Sequence, residues 1–251
     1  MGSAVLWAAG GTGFTFLLTS LGAATVFLFR REMAGRAQEI FFGFAAGVMM
    51  AASVWSMLIP SVEQAKELSL PGWLPAGVGF PLGAAMMIGL DRLASRLRGG
   101  AGERRELLFL AITIHNIPEG MAVGLAFALA AKQGGEPALL ASATALAIGI
   151  GIQNFPEGAA LALPIWQETG RPGVAFGRGV LSGTVEPLAG IAAALLAGGV
   201  ALLMPWLLAL AAGAMLYVVV EEMLPEARSR IGTLGVMGGF LLMMVLDVAL
   251  G

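Results

Sequence analysis

Long apolar runs dominate this chain, and they restrict its possible folds more than any other feature. A helix needs about twenty residues to cross a bilayer, and eight of these runs approach that length. Of the 251 residues, 58% are hydrophobic and 12% charged, against about 25% charged in a soluble domain. The sequence therefore predicts an all-α integral membrane protein, a single transmembrane domain over residues 1–251. Its helices are expected at about 4–29, 39–60, 74–95, 107–131, 138–166, 174–199, 203–224 and 233–250.

The distribution of basic residues predicts an orientation. Twelve of the 14 Lys and Arg residues fall in the odd-numbered connections, and only Lys66 and Lys132 fall in the even ones. Because positive residues favour the cytoplasmic side, both termini are expected outside the cytoplasm. No cleavable signal peptide pattern precedes the first run, so we expect a multi-pass protein of the inner or plasma membrane. The net charge of −2 gives no reason to expect a nucleic-acid partner.

One phrase occurs twice inside the apolar runs. It reads Ile-His-Asn-Ile-Pro-Glu-Gly at residues 114–120 and returns 38 residues later as Ile-Gln-Asn-Phe-Pro-Glu-Gly at 152–158. On a helix, positions i, i+1 and i+4 lie at about 0°, 100° and 40°, and therefore on one face. Each proline also frees a backbone carbonyl one turn earlier and kinks its helix. These faces are predicted to form the halves of a cation site with six polar residues: His115, Asn116, Glu119, Gln153, Asn154 and Glu157.

Five glutamates lie within predicted spans: Glu119, Glu157, Glu186, Glu221 and Glu222. At about 2.5–3.5 kcal/mol each at the bilayer centre, they must face protein, water or cations. The alternative for Glu119 and Glu157, a pair of buried protonated acids, does not explain the imidazole and three amides on the same faces. Glu186 either joins the site or pairs with a neighbouring helix. Glu221 and Glu222 either line an exit path or are solvated at the interface.

The ligand types indicate a site that releases its ion. His115 is the only histidine, and the chain has no cysteine. A lone histidine is more often a core residue, but next to Glu119, Gln153 and Glu157 it completes an N/O set suited to Zn²⁺. Tight structural zinc normally uses more sulfur or imidazole. A site of carboxylates and amides is therefore better suited to transport.

A second internal similarity predicts an inverted repeat of the form 3+2+3 helices. Ala-Ala-Gly-Val-Met at 45–49 in the second helix returns as Ala-Ala-Gly-Ala-Met at 211–215 in the seventh, and the two helices end at Pro60 and Pro225. The two helices have opposite predicted orientations. Such repeats place a substrate near the membrane midplane. Glycine pairs, including Gly43/Gly47, are expected to allow close helix packing.

At these residues the chain resembles the ZIP (Zrt-, Irt-like protein) family of divalent metal transporters, and more closely its GufA-like bacterial branch. The two proline motifs, the Glu186-Pro187 pair and the Gly-Val-Met of the second helix carry the resemblance. Eukaryotic members commonly have His-Glu-x-Pro-His-Glu at 153–158, and this chain departs from that form.

The resemblance implies a binuclear metal site. His115, Glu119, Gln153 and Glu157 resemble the ligands of a first metal, with Met49 as a soft contributor. Asn116, Asn154 and Glu186 resemble those of a second metal, and Glu119 and Glu157 would bridge the two. The resemblance also implies an elevator-like motion of helices one, four, five and six, and a homodimer formed by the other four.

The sequence thus predicts a transporter that imports Zn²⁺, or Cd²⁺, Fe²⁺ or Mn²⁺, into the cytoplasm, with divalent ions and the lipid bilayer as partners. One alternative is a channel that conducts divalent cations passively through the same polar faces. The other is a membrane-embedded metalloenzyme. It has less support, because the chain lacks a His-Glu-x-x-His helix and a nucleophile beside a base.

Overall fold

The computed structural model describes residues 2–28, 34–97 and 103–250. Its regular elements are all helical, which confirms the predicted class. By length and composition, seven stretches of the described residues can cross a membrane. The helices are α1 (Gly2–Ala23), α2 (Ala34–Ala52), α3 (Ile59–Glu67), α4 (Trp73–Leu97), α5 (Glu103–Lys132), α6 (Pro137–Thr169), α7 (Pro172–Gly183), α8 (Val185–Leu195), α9 (Ala197–Val218), α10 (Leu224–Glu226) and α11 (Arg230–Leu250).

The predicted helix at 174–199 is interrupted. It consists of α7 and α8, of 12 and 11 residues, which meet at Thr184. Pro187 explains the interruption, because it has no N–H to donate to the carbonyl of Gly183. Neither α7 nor α8 alone has the length of a membrane span.

Two π-helical segments occupy matching places in the repeated helices. Ser53–Leu58 joins α2 to α3 just before Pro60, and Val219–Met223 joins α9 to α10 just before Pro225. A proline removes one i→i−4 hydrogen bond, which favours a local change of helical register. The second predicted helix therefore continues past residue 60 to Glu67. The similarity seen in sequence extends to this backbone feature.

Close glycine contacts join α2 to α11 and α4 to α9. A Cβ on Gly43 or Gly47 would overlap the backbone of α11, and one on Gly83 or Gly213 would overlap the partner helix in the other pair. Small residues let the backbones approach without a hydrophobic driving force between the helices. The close packing predicted for Gly43 and Gly47 is confirmed.

The helices form two packing groups. One group contains α1, α5, α6, α7 and α8, and the other contains the pairs α2–α11 and α4–α9. The two groups meet mainly where α6 packs on α2 and where α5 packs on α9. The first group contains both proline motifs and Glu186, so it holds nearly all of the predicted ligands.

Candidate metal centre

The polar side chains predicted from the two motifs converge in the interior of the first helix group. Glu119 is 1% exposed, and the other five described members are fully buried: Asn116, Gln153, Asn154, Glu157 and Glu186. They come from α5, α6 and α8. The side chain of His115 lies outside the described residues, although its backbone belongs to α5. The structure therefore brings together every predicted polar ligand whose side chain it describes.

Both prolines are accommodated within continuous helices. Pro118 lies inside α5 and Pro156 inside α6, and the helical conformation continues past each of them. Neither ring nitrogen can donate to the carbonyl one turn earlier, at Ile114 and Ile152 respectively. Each motif therefore places a backbone oxygen without its usual helical donor close to its polar face.

Two amide side chains of α6 donate to carboxylates on other helices. Gln153 Nε2 donates to Glu119 Oε1 in a short contact. Asn154 Nδ2 donates to Glu186 Oε2 at 2.9 Å. An ionised carboxylate can only accept, so these bonds fix which end of each amide faces the acid. On α5, Asn116 Nδ2 donates at 3.3 Å to the backbone carbonyl of Ser182.

The opposite ends of these amides are buried acceptors. Asn116 Oδ1, Gln153 Oε1 and Asn154 Oδ1 have no hydrogen-bond donor. A buried acceptor left without a donor costs about 1–3 kcal/mol. Amide and carboxylate oxygens are good ligands for hard and borderline divalent cations. Three such oxygens beside two carboxylates make an environment that a cation would stabilise.

Carboxylates alone do not make the site. Among the described side chains, no three histidine, cysteine, aspartate or glutamate residues lie close enough together to hold one ion. The acids of α5, α6 and α8 are instead connected through the amides of Gln153 and Asn154. Among the described side chains, an ion bound here would therefore have amide oxygens as ligands besides the carboxylates.

The glycine that ends each motif determines which helix packs against it. A Cβ on Gly120 would overlap the backbone of Glu186 in α8, and one on Gly158 would overlap the backbone carbonyl of Thr19 in α1. Thr19 Oγ1 in turn donates to Glu186 Oε1 at 2.9 Å. These contacts connect α6, α1, α8 and α5 in a closed ring around the polar side chains.

Sequence reasoning missed Thr19 and Ser182. Neither residue lies in the repeated phrase, and a hydroxyl in an apolar helix commonly bonds its own backbone, as Thr19 Oγ1 also does with the carbonyl of Thr15 at 3.3 Å. A weak signal existed in the threonines at 12, 15 and 19, which share one helical face. All three are fully buried.

Met49 lies in the apolar core beside α6. Its side chain is fully buried in an apolar cluster formed by α2, α6 and α9, together with Ala160 and with Met215, its equivalent in the repeat. Ala160 follows Gly158 by two residues on α6. The structure thus places Met49 against the helix that carries Gln153 and Glu157.

Glu221 and Glu222 are separate from this cluster. Both lie in the second π-helical segment, where Glu221 is exposed and Glu222 is half-buried. Neither takes part in the ring of α1, α5, α6 and α8. Both of their predicted roles, at an exit path or as solvated interfacial acids, remain compatible with this position.

Known proteins resemble the chain over nearly its whole length. A family model described as ZIP Zinc transporter matches residues 101–247. Zinc transporter ZIP11 of Homo sapiens is 36% identical, with 99% of this chain and 98% of that protein covered. Zinc transporter ZIPB of Bordetella bronchiseptica is 38% identical, with 100% and 82% covered. Zinc transporter GufA of Myxococcus xanthus is 35% identical, with 93% and 94% covered. The chain therefore belongs to the ZIP family of zinc transporters.

Proposed function

We propose that this protein imports Zn²⁺, or a similar divalent ion such as Cd²⁺, Fe²⁺ or Mn²⁺, into the cytoplasm. Its family makes it a multi-pass membrane transporter of metal ions and not an enzyme. The observation that carries the proposal at this site is the set of three buried amide oxygens without donors beside the buried carboxylates. A cation passing through would supply their missing partner.

The proposed centre holds two ions. His115, Glu119, Gln153 and Glu157 bind the first, and Met49 contributes from α2. Asn116, Asn154 and Glu186 bind the second, and the carboxylates of Glu119 and Glu157 bridge the two. The hydrogen bonds from Gln153 to Glu119 and from Asn154 to Glu186 support this division, because each amide is paired with an acid of its own proposed site.

We infer eight crossings, with α7 and α8 together forming the sixth. Glycine contacts show that α4 and α9 run parallel, since Gly79 lies against Trp206 and Gly83 against Leu210. Similarly, α1 and α6 run parallel, because Gly151 contacts Phe14 and Gly158 contacts Thr19. Successive membrane spans alternate in direction, and α1, α4 and α6 are odd-numbered spans. Because α9 runs parallel to α4, it must be an odd-numbered span as well. One crossing must then lie between α6 and α9.

Both termini are proposed to lie outside the cytoplasm, following the distribution of Lys and Arg. A cysteine replacing Ser69, after α3, should react with an impermeant thiol reagent on intact cells. A cysteine replacing Gly100, in the basic connection after α4, should react only after the membrane is permeabilised. The chain has no natural cysteine, so no background labelling is expected. The reverse pattern would overturn this orientation.

The two packing groups support an elevator-type mechanism. In this proposal α1, α5, α6, α7 and α8 move together with the metal, while α2, α4, α9 and α11 form the fixed scaffold of a homodimer. The glycine contacts join helices within a group, whereas α6 meets α2 through apolar side chains such as Met49 and Ala160. Apolar contacts of this kind have no fixed hydrogen-bond geometry and allow one group to slide along the other.

Uptake into liposomes containing the purified protein tests the transport proposal. We expect saturable uptake of Zn²⁺, with competition by Cd²⁺, Fe²⁺ and Mn²⁺. Flux that rises linearly with voltage and does not saturate would instead support a passive cation channel. Protein-free liposomes are the control for leakage, and uptake no faster than theirs would contradict the proposal.

A further inference from the structure

An apolar groove lies on the outer surface of the first helix group, between α1, α5 and α6. Its volume is about 650 Å³, which is within the range of cavities that hold small-molecule ligands. Its walls include Trp7, Gly10 and Phe14 of α1, Phe127 of α5, and four residues between positions 140 and 148 of α6. The residues that line the groove include none of the candidate metal ligands.

The groove exists because α1 and α6 diverge toward their N-terminal ends. Farther along, the two backbones touch, since a Cβ on Gly158 would overlap the carbonyl of Thr19. About two turns earlier, the atoms nearest to a Cβ on Gly151 belong to side chains, including that of Phe14. Earlier still, a Cβ on Gly10 would meet nothing within 4 Å. The two helices therefore enclose a wedge that their own side chains do not fill.

The lining and the surroundings of the groove are both apolar. Among the residues that line it, only Trp7 and Thr144 carry a polar side-chain atom. The hydroxyl of Thr144 already donates to the carbonyl of Leu140 at 2.7 Å. The lining residues lie in three stretches that can cross a membrane, so the groove opens toward hydrocarbon and not toward water. An apolar chain is the ligand that suits it, and lipid acyl chains are present at that depth.

The groove runs inward from the membrane interface. Between Leu140 and Ile148 it follows α6 for eight residues, or about 12 Å. At its outer end the ring of Trp7 lies beside the α5–α6 connection, since a Cβ on Gly135 would be 3.1 Å from Trp7 Cη2. Tryptophan is enriched at the level of the lipid headgroups. The groove thus has the direction of an acyl chain whose headgroup lies next to this connection.

Two exposed residues of opposite charge lie at the outer end of the groove. Lys132 ends α5, five residues or about 7.5 Å after Phe127. Glu136 directly precedes α6, and its spacing of four residues from Leu140 places it in line with the wall of the groove. Lys132 is also one of only two basic residues in the even-numbered connections. One cation and one anion here are complementary to a headgroup that carries both charges.

We propose that the groove binds a zwitterionic phospholipid with a primary ammonium headgroup, such as phosphatidylethanolamine. One acyl chain fills the wedge between α1 and α6, Lys132 binds the phosphate, and Glu136 binds the ammonium. The chain supplies the contacts that the diverging helices lack. It therefore stabilises two of the four helices that surround the polar cluster. This lipid site goes beyond the proposed transport function and does not depend on it.

The first test fills the groove from within. Gly10→Leu places a side chain in the wedge, and Gly13→Leu is the matched control. Both glycines lie on α1 with open space at the Cβ position, but only Gly10 lines the groove. Native mass spectrometry of the purified protein with added phosphatidylethanolamine measures the tightly held lipid. We expect its affinity to fall more than tenfold in Gly10→Leu, because several methylene groups lose their site, and to stay within about twofold in Gly13→Leu. Equal lipid affinities in the two variants would overturn the proposal.

The second test separates the two headgroup charges. Wild-type protein should hold phosphatidylethanolamine several fold more tightly than phosphatidylglycerol, which has no ammonium. Lys132→Gln should weaken the binding of both lipids about fivefold, as expected for the loss of one basic residue near a phosphate. Glu136→Gln should weaken phosphatidylethanolamine alone. Equal binding of the two lipids by the wild type would contradict the proposed headgroup. Both variants lie outside the apolar stretches, so this test remains decisive if Gly10→Leu fails to fold.

Thermal unfolding in detergent tests whether the bound chain stabilises the diverging helices. Saturating phosphatidylethanolamine should raise the Tm of the wild type and of Gly13→Leu by about 5 °C, because the lipid binds only the folded protein. The Tm of Gly10→Leu should rise by less than half as much. A wild-type Tm that does not respond to the lipid would overturn the proposal. These measurements need no metal, so their outcome is distinct from that of the uptake experiments.

Discussion

The two copies of the proline motif are alike in sequence, but they differ in what they contact. The copy in α5 packs through Gly120 on the backbone of α8, and the copy in α6 packs through Gly158 on α1. The amides of α6 donate to carboxylates of two other helices, whereas Asn116 of α5 donates to a backbone carbonyl. The amides of the α6 copy therefore link acids on α5 and α8, and each copy contributes one glutamate of its own.

This difference shows how a repeated phrase can build an asymmetric site. One helix face alone provides three polar groups. The glycine that follows Glu119 or Glu157 determines which neighbouring helix packs closely against that motif. Because the glycines select α8 and α1, the site gains Glu186 from one copy and Thr19 from the other. The proposed second ion depends on that selection.

Among the variants that test how the two motifs pack, the largest effect should come from filling the two glycine contacts. In Gly120→Ala and Gly158→Ala, the new methyl group overlaps the backbone of a neighbouring helix and must push it away. We expect a loss of about 1–3 kcal/mol of stability from overpacking. We also expect uptake to fall more than tenfold, since a displaced ligand shell no longer fits the ion.

Gly177→Ala is the matched control, because a Cβ at this helical position meets open space. Thermal unfolding and liposome uptake of the three variants make the comparison. If Gly120→Ala and Gly158→Ala behave like Gly177→Ala, the two motifs do not dock as described.

A smaller effect is expected from Asn154→Asp. The change adds a negative oxygen next to Glu186 Oε2, which Asn154 now contacts at 2.9 Å. A cation in the second site should then bind about tenfold more tightly, and turnover should fall because a tightly held ion leaves slowly. Calorimetry with Cd²⁺ measures the affinity. Unchanged affinity and stoichiometry would mean that Asn154 is not a ligand.

The smallest effect should come from Thr19→Val, which removes the hydroxyl that holds Glu186 Oε1. One buried hydrogen bond contributes about 1 kcal/mol, so we expect a loss of a few fold in affinity for the second ion. Thr12→Val is the control, because the Thr12 hydroxyl donates to the carbonyl of Ala8 in its own helix. Equal behaviour of the two variants would argue against a positioning role for Thr19.

Much of the fold followed from the sequence, because hydropathy and helical period are local properties. The class, most helix positions and the glycine contacts of Gly43 and Gly47 were predictable in this way. The break at Thr184 was not predicted, although Pro187 follows it by only three residues. A proline can be accommodated, as Pro118 and Pro156 are, or can end a helix, and its tertiary surroundings decide which occurs.

The part of the candidate site that comes from the two repeated motifs was predictable from the sequence. The faces of α5 and α6 came from spacing alone, and Glu186 was suggested by its cost in a membrane. Contacts across helices, such as the bond from Thr19 to Glu186, depend on which helices pack together, and one sequence does not contain that information.

In the proposed centre, Glu119 binds both ions and Glu186 binds only one. The most direct measurement is the number of Cd²⁺ ions bound per purified protein, made alongside Zn²⁺ uptake, for the wild type, Glu119→Ala and Glu186→Ala. We predict two ions in the central site of the wild type and one in Glu186→Ala with reduced uptake. Glu119→Ala should have neither binding nor uptake, while remaining inserted and folded. Full uptake by Glu119→Ala, or equal mild losses in both variants, would contradict the account.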